Sequence, residues 1–400
     1  MPGTPRFKCF LSHEYQAVPE GGRIWTTPIP LSRQQVDVPF RKETSVSVSH
    51  GVYFSAVREF LEKDRFKMLV LALSKRLDRN VTLEELSEIR IFLEKHGEFY
   101  HPARIEAELN GLTIPFVVNV ALSDTGKNGI RKEYRLLQRL HTDFSFSFLP
   151  RVYGQDRILS KGGDFETRMF LGEWFEAYSE FHISRDPADG KLKIVVWHSE
   201  HDNYFLTVAQ TMELYRQAAM ILTCYYNIET FEHISSWHHA AGDFVVKCQN
   251  GKIDVKLVTV RQYGPMFADD GGVEPKAPDA MMMLEALLVF FLNLAIRMRL
   301  DRLDGVGQIV WSDTIAVGET LRGFLDGLAL KPPGRPFAAP LADCFWQQLL
   351  SCTHTELLDL NRAIVQKFHP RSPDVPVVQQ HLQQHVDDLY DAVQQQRAHL

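Results

Sequence analysis

The sequence predicts an α+β fold with two lobes: a small N-terminal lobe built on an antiparallel sheet, and a larger, mostly helical C-terminal lobe. Three observations lead to this prediction. At 400 residues the chain exceeds what one hydrophobic core usually supports. Short apolar stretches with strand-like alternation concentrate between residues 103 and 174. From residue 205 onward, apolar residues recur every three or four positions, which is typical of amphipathic helices.

Composition and charge narrow the class of protein. Hydrophobic residues make up 45% of the chain and charged residues 24%, as in ordinary globular proteins. The net charge of -6 provides no general attraction to nucleic acid or to an anionic membrane, so neither is predicted as a partner. Five scattered cysteines without a CxxC pair, and an N-terminus without an apolar signal segment, predict a cytoplasmic protein with reduced thiols.

The most apolar segment is Met281–Ile296. It is shorter than the roughly 20 residues that span a bilayer, and Glu285 and Asn293 interrupt it. We therefore expect a buried core helix rather than a membrane span.

We divide the chain into three segments: an N-terminal arm with a helical extension (1–100), a small sheet lobe (101–180) and a helical lobe (181–400). Residues 1–48 are rich in Pro, Gly and Arg and are expected to be irregular. Apolar residues on one face predict a helix over Val52–Leu77. A second helix is predicted from Thr82, where Glu85 completes a capping box, to about Gly97.

The sheet lobe begins with a predicted hairpin. Ala103–Leu109 alternates apolar and polar residues, Asn110-Gly111 forms a strong turn signal, and Leu112–Leu122 is the returning strand. Pro115 indicates an edge or a bulge, because proline lacks an N–H donor. A helix is predicted over about Ile130–Leu140. Further strands are predicted at 149–154, 165–174 and 192–197, and further helices at 205–226, 280–300, 313–328, 343–367 and 379–398.

Candidate functional residues concentrate between Ser235 and Met266, directly after a long predicted helix. His239 and Asp243 delimit a short loop, and Asn250-Gly251 then joins two short apolar runs into a hairpin. This order of elements resembles the protein-kinase-like fold, and in particular its aminoglycoside phosphotransferase branch. The resemblance covers roughly residues 103–328 and includes the segment 297–302, RMRLDR, which is similar to part of the branch's helical lobe.

The resemblance implies catalytic roles for two residues. Asp243 would orient the acceptor hydroxyl at the end of the loop that His239 opens, while metal ions and cations stabilise the transferred phosphoryl group. Asp243 could instead cap a turn or hydrogen-bond the backbone beside Gly242, as Asp in Gly-Asp turns often does. Both interpretations are open at the level of sequence.

Four residues become candidates for nucleotide binding under the same resemblance. Glu133 lies on the helix whose glutamate pairs with the phosphate-binding lysine, and Asn119 stands where that lysine is expected. Glu173 lies where a lobe hinge presents its backbone to adenine, and Arg261 could bind phosphate directly. The alternatives are a solvated helix position for Glu133 and an ordinary strand end for Glu173.

The expected metal ligands are displaced. The family's metal-binding asparagine corresponds to Cys248, and its metal-binding aspartate corresponds to Arg261. Asn250 and Asp254 are the nearest oxygen donors, and hence the candidate ligands for Mg²⁺. Solvent exposure is the alternative for Asp254, which lies at a polar position of its strand.

Two functions follow as hypotheses. The first is a nucleotide-binding, ATP-dependent phosphotransferase that uses Mg²⁺ and acts on a small hydroxyl-bearing molecule. The second is a catalytically inactive kinase-like protein that binds a nucleotide or a protein partner. The residues at the displaced positions, Asn119, Cys248 and Arg261, favour the second. A further cluster at 197–202, WHSEHD, has the ligand types of a zinc site but no established zinc spacing, so a solvated loop is predicted there and a metal-dependent hydrolase is a minor alternative.

Overall fold

The structure is a computed structural model that describes residues 4–12, 16–29, 48–95, 97, 100–159, 165–197, 202–267, 278–332 and 336–398. The chain divides into two compact units. Unit 1 comprises Met1–Asp143 and Pro150–Glu176, and unit 2 comprises Phe144–Leu149 and Ala177–Leu400. Strands before and after residue 100, where the sequence suggested a division, belong to one sheet in unit 1.

Among the described residues of unit 1, seven strands form one sheet. They are β1 (Arg6–Leu11), β2 (Gln16–Ala17), β3 (Leu86–Leu93), β4 (Ala103–Leu109), β5 (Leu112–Ala121), β6 (Val152–Leu159) and β7 (Glu166–Glu173). Their order is β2-β1-β3-β4-β5-β7-β6. Only β1 and β3 run parallel, and the other neighbours are antiparallel.

Two predictions are wrong at the N-terminal side of this sheet. Arg6–Leu11, expected to be irregular, is β1. The helix expected from Thr82 is a single 3-10 turn, Leu83–Glu85, followed by β3. The capping box of Thr82 and Glu85 is present, but β3 lies between β1 and β4 and is apolar along most of its length. Leu86, Ile89 and Leu93 are also spaced as on a helix, so this apolar pattern fits both a helix and a strand.

The hairpin of β4 and β5 is confirmed. Asn110 (φ 50°) and Gly111 (φ 82°) both have positive φ, as the turn type favoured for two-residue hairpins requires. Pro115 pairs with β4, and the pairing of β5 with β7 begins one residue later, at Phe116. The strand therefore has a single neighbour where proline cannot donate a hydrogen bond.

In the part of unit 1 that the structure describes, three helices accompany the sheet: α1 (Arg23–Thr26), α2 (His50–Leu77) and α3 (Asp124–Asp143). The apolar face of α2 contributes Tyr53, Phe54 and Phe60 to a core shared with the sheet. The backbone leaves helical φ/ψ values from Lys63 to Phe66, so α2 is two helical segments joined by a kink. α3 is longer than predicted and packs beside β5, β6 and β7.

Within its described residues, unit 2 contains a second sheet and two small strand pairs. The sheet has the order β10-β9-β8-β12-β13, with β8 (Ser179–Arg185), β9 (Leu192–Trp197), β10 (Tyr204–Phe205), β12 (Phe244–Gln249) and β13 (Lys252–Leu257). The pairs join β11 (Glu232–Ser235) to β14 (Gln262–Pro265), and β15 (Leu300–Arg302) to β16 (Ile309–Trp311). Of these strands, the sequence patterns predicted β9 with its observed bounds and indicated the hairpin of β12 and β13.

Helices make up most of the rest of unit 2: α4 (Val208–Cys224), α5 (Ala280–Met298), α6 (Ile315–Ala329), α7 (Leu341–Ser351), α8 (His354–Gln366) and α9 (Asp374–Arg397). The single helix predicted over 343–367 is wrong, because α7 ends at its C-cap Cys352 and Thr353 caps the start of a separate helix, α8. An antiparallel-rich sheet in the N-terminal unit and a helix-rich C-terminal unit confirm the predicted α+β class.

The apolar helix α5 is part of the unit 2 core. It is long and apolar enough to cross a membrane by length and composition, yet 61% of its most apolar window is buried inside the protein. Phe291 and Leu292 are fully buried, and α5 packs against α6, α7 and α8. This packing agrees with the core helix predicted from the sequence.

Candidate functional site

A π-helical turn, His239–Asp243, precedes the hairpin of β12 and β13. The antiparallel pairing of β11 with β14 brings the two ends of this segment together. Asn250 (φ 52°) and Gly251 (φ 76°) form the tight turn between the hairpin strands, as the Asn-Gly pair predicted. The turn therefore presents Asp243 directly before β12.

Asp243 is buried and fully engaged. The residue is 1% exposed. Oδ2 accepts a hydrogen bond from Nη1 of Arg261 at 2.6 Å and another from the backbone N–H of His238 at 2.8 Å. Oδ1 accepts from Nη2 of Arg261. Two parallel charge-assisted bonds of this kind are a strong, geometrically specific arrangement, so the carboxylate is held in place by the protein itself.

Arg261 directs its charge inward to that carboxylate. Besides Asp243, its Nη1 donates to the backbone oxygen of Ser236 at 3.3 Å. The side chain is 35% exposed, so part of it borders solvent. The residue that stands where the resemblance expects a metal-binding aspartate thus supplies the opposite charge and neutralises Asp243.

His239 opens the turn and is completely buried. Its Nδ1 lies 3.1 Å from Oδ2 of Asp301, which is also completely buried, and its ring packs against Tyr215 of α4 at 5.4 Å between centroids. Burial, and to a lesser extent the neighbouring His238, lowers the pKa of His239 to about 3. His239 is therefore neutral at physiological pH. This environment suits a residue that anchors the turn.

A layer of buried polar side chains lies behind the turn. Arg299 donates from Nε to the backbone oxygen of Ser312 at 2.9 Å and from Nη1 to Asp388 of α9 at 2.8 Å. Burial raises the pKa of the Tyr215 hydroxyl to about 12. Burial, followed by the charge of Arg299, lowers the pKa of His385 to about 3. Arg299 connects the end of α5 with α9 and with the backbone of Ser312, and Tyr215 connects α4 with the turn. These side chains favour one conformation of the turn.

Sequence reasoning did not identify the partners of the turn. Asp301 belongs to the segment RMRLDR, and its charge among arginines suggests a surface position rather than a buried one. Tyr215 belongs to the apolar face of a predicted helix and is indistinguishable there from other core residues. The one sequence feature that could have pointed to Asp301 is its position directly after a long apolar helix.

The hairpin side chains face a different environment. Asp254 has a side chain that is 54% exposed, accepts a hydrogen bond from the Tyr178 hydroxyl and lies 3.9 Å from Nζ of Lys256. Asn250 is exposed in the tight turn. Within the described part of the chain, no group of three or more His, Cys, Asp or Glu residues is arranged to hold a metal ion. The solvent-exposed interpretation of Asp254 is the one that its environment favours.

The outer edge of β13 is covered by a side chain that sequence reasoning missed. The Gln217 amide on α4 donates to the Ile253 carbonyl at 3.0 Å and accepts from the Val255 N–H at 2.9 Å. It thereby imitates a neighbouring strand. Further along the same edge, the Phe148 carbonyl accepts from the Leu257 N–H at 3.1 Å. A glutamine on a helix gives no sequence signal for this role.

A shallow cavity of about 430 Å³ lies between the hairpin tip and the start of α4. Its lining includes Thr207, Gln210, Glu213, Gly251 and Lys252. Thr207 and Gln210 already satisfy each other through a capping box. The cavity therefore offers one carboxylate and one ammonium group of opposite sign.

The nucleotide-binding candidates Asn119, Glu133 and Glu173 all belong to unit 1. Asn119 is half-buried on β5, opposite Phe170 of β7. Glu133 is 2% exposed on α3, so the solvated alternative for this residue is wrong. Glu173 ends β7, where Oε1 accepts from Nη1 of Arg76 at 2.6 Å and Oε2 from the Arg151 N–H at 3.2 Å. The zinc-like cluster falls largely at 198–201, outside the described residues.

No protein-family model and no curated protein matches the chain. Among solved structures, it is similar to WaaP in complex with acyl carrier protein, with 9% identity over 67% of this chain and 86% of that chain and a TM-score of 0.32. It is also similar to the Drosophila melanogaster PAN3 pseudokinase, at 9% identity over 79% and 70% of the two chains and a TM-score of 0.28. A third similar structure is PAN3 in its complex with Neurospora crassa PAN2, with 10% identity over 83% of this chain and 74% of that chain and a TM-score of 0.27. These distant likenesses establish no family.

Proposed function

We propose that this chain is a kinase-like protein that binds a nucleotide or a protein partner, and that Asp243 has a structural rather than a catalytic role. The observation that supports this proposal is the bidentate ion pair of Asp243 with Arg261. A residue that positions a hydroxyl group must lie within hydrogen-bond reach of it. Here a substrate would have to displace a guanidinium that forms two charge-assisted bonds.

The charges around the turn support the same proposal. Phosphoryl transfer depends mainly on metal ions and cations around the transferred group, and Mg²⁺ needs carboxylate oxygens. Arg261 neutralises Asp243, and Asp254 is an exposed side chain on the hairpin, bonded to Tyr178. A protein of this kind would bind its ligand without transferring phosphate.

ATP-dependent phosphotransfer to a small hydroxyl-bearing molecule is the second candidate. Two observations favour it: Glu133 is buried on α3, as a carboxylate that orders a phosphate-binding cation would be, and Arg261 is 35% exposed. In this case Arg261 would leave Asp243 when substrate binds and would then contact phosphate. Asp243 would become available to the acceptor.

A thermal-shift titration separates the two candidates. The wild-type protein, Asp243→Asn and the matched control Asp254→Asn are each titrated with ATP and with ADP, with and without magnesium. We expect equal stabilisation with and without magnesium, and the same nucleotide-induced shift in all three proteins. Ligand at 100-fold its Kd stabilises a folded protein by about 2.7 kcal/mol, which is readily measured.

Stabilisation that requires magnesium and is lost only in Asp243→Asn, together with magnesium-dependent ATP turnover by the wild type, would refute the structural role and support phosphotransfer. Equal behaviour of the two variants, with no turnover, would support the structural role of Asp243. If neither nucleotide stabilises any of the proteins, the nucleotide half of the proposal is wrong and the partner-binding half is retained.

A further inference from the structure

The exposed face of α3 carries a row of positive charges. Arg131, Lys132, Arg135 and Arg139 are all exposed. The opposite face of the helix is buried and apolar, through Ile130, Tyr134, Leu137 and Leu140. We call the exposed row the basic face. It runs against the charge of the whole protein, which is -6.

Most of the basic face lacks an ion pair. Among the described residues, no salt bridge to Arg131, Lys132 or Arg135 occurs. Arg139 pairs with Asp143 at the C-terminal end of the helix, at 3.0 Å. The remaining acidic residue in the middle of α3, Glu133, is buried and belongs to the other side of the helix.

The spacing of these charges is unfavourable for the helix by itself. Arg131, Arg135 and Arg139 follow one another at intervals of four residues, so like charges are neighbours on the helix surface, and such pairs destabilise a helix. Surface helices usually alternate the sign of charge at this spacing. An anionic partner would convert the repulsion into attraction. The basic face differs from an ordinary solvated surface in its run of like charges at this spacing.

We propose that the basic face docks an acidic helix of a protein partner. Intervals of four residues place the arginine Cα atoms about 6 Å apart along the helix axis. Carboxylates at the same interval on a partner helix have the same spacing and can pair with them one to one. This surface lies on α3 and does not depend on the role of Asp243, so it stands apart from the proposed function.

Two other anionic partners fit less well. The overall negative charge of the protein opposes a long polyanion such as a nucleic acid. Membrane-surface helices need exposed large apolar side chains next to their basic residues. The large hydrophobic side chains that are exposed in the described residues lie on other elements, such as Leu71, Leu112 and Met281.

The test compares two triple charge reversals in the full chain. R131E/K132E/R135E reverses the basic face. K67E/K75E/K367E reverses three exposed lysines on α2 and after α8 and changes the net charge equally. A third variant, R131K/R135K, retains the charge. All six positions are exposed, so circular dichroism and thermal unfolding should be unchanged, and these measurements confirm that each variant folds.

The probe is a capped, fluorescent alanine peptide with glutamate at every fourth position, followed by fluorescence anisotropy at low and at physiological ionic strength. We expect the wild type, the lysine control and R131K/R135K to bind alike, and R131E/K132E/R135E to bind at least about tenfold more weakly, since several charge pairs are lost and replaced by repulsion. Binding should weaken as salt increases.

Three results would overturn the proposal. One is no binding of the peptide by the wild type at low ionic strength. Another is an equal loss of binding in the lysine control, which would show a general effect of net charge. The third is tighter binding, through the same residues, of a single-stranded RNA of equal charge or of vesicles containing phosphatidylserine. That result would assign the basic face to a nucleic acid or a membrane.

Discussion

The two halves of the segment from Ser235 to Met266 contain similar polar residues and place them in opposite environments. In the π-helical turn, His239 is fully buried and Asp243 is 1% exposed. In the hairpin, the side chain of Asp254 is 54% exposed and Asn250 lies in an exposed turn. The turn is held by side chains from other elements, whereas the polar side chains at the hairpin tip border solvent.

This difference shows that burial, rather than residue type, decides what a carboxylate contributes. A carboxylate removed from water must be paired and hydrogen-bonded, as Asp243 is by Arg261 and the His238 N–H. An exposed carboxylate such as Asp254 gains little from a nearby lysine, since water solvates both charges. Four substitutions, with decreasing expected effects, test this contrast.

Arg261→Leu should cause the largest loss of stability. It leaves the Asp243 carboxylate buried with a single backbone donor. Removing one partner of a buried ion pair costs about 3–5 kcal/mol, and the partial exposure of Arg261 places the expected loss near 3 kcal/mol. Equilibrium urea unfolding at neutral pH measures it.

The matched control is the double variant Asp243→Asn with Arg261→Leu. It should recover part of the lost stability, because no charge is then left buried without its partner. A loss below about 1 kcal/mol in Arg261→Leu alone would mean that the turn is as loosely held as the hairpin.

His239→Gln should reduce the sensitivity of the protein to acid. The pKa of His239 is lowered from 6.5 to about 3 in the folded protein, so the unfolded chain binds the proton first as pH falls. Stability attributable to this residue is therefore intact above about pH 6.5 and decreases from there toward pH 3, by about 1.4 kcal/mol per pH unit.

Between pH 6.5 and pH 5, the variant should consequently lose about 2 kcal/mol less than the wild type. Urea unfolding at both pH values gives the difference. His385, whose pKa is also lowered to about 3, provides an independent repetition in His385→Phe. Equal losses in the wild type and both variants would show that these side chains are not buried in the neutral form.

Gln217→Met should have an intermediate effect at the edge of the hairpin. The change keeps the size of the side chain and removes both hydrogen bonds to β13. The expected loss is about 1 kcal/mol, because the freed backbone groups are only partly buried. Urea unfolding under the same conditions measures the loss, and a stability equal to that of the wild type would contradict the strand-like role of this amide.

Asp254→Asn should have the smallest effect, below about 0.5 kcal/mol. Asparagine can still accept the hydrogen bond from Tyr178, and the interaction with Lys256 spans 3.9 Å at an exposed site. A loss comparable to that of Arg261→Leu, measured under the same conditions, would remove the distinction between the two halves of the segment.

Local patterns predicted elements where short-range chemistry is decisive. Asn110-Gly111 and Asn250-Gly251 predicted both tight turns, because few residue pairs adopt positive φ at two successive positions. The pattern also contained a capping box, Thr353 with Glu356, that marks the start of α8. The predicted continuous helix over 343–367 ignored it.

Local patterns did not predict elements whose environment depends on distant strands. The helix predicted over β3 rests on the capping box of Thr82 and Glu85 and on Leu86, Ile89 and Leu93, which are also spaced as on a helix; pairing with β1 and β4 makes the segment a strand. β1 does alternate, since Arg6 and Lys8 are followed by Phe7 and Cys9, but the alternation covers only a few residues. Its partner strand, from Glu88 to Leu93, lies far along the chain, so no adjacent hairpin signal supports so short a pattern.

At the candidate site, residue patterns alone predict that Asp243 lies in a turn before a hairpin and that an arginine follows the second hairpin strand. That the two residues meet follows from contacts between distant elements. They are 18 positions apart, and they come together because β11 and β14 pair and close the segment between them. Residue patterns specify which positions are apolar and where the chain turns; the partner of a buried charge depends on which distant elements the fold brings together.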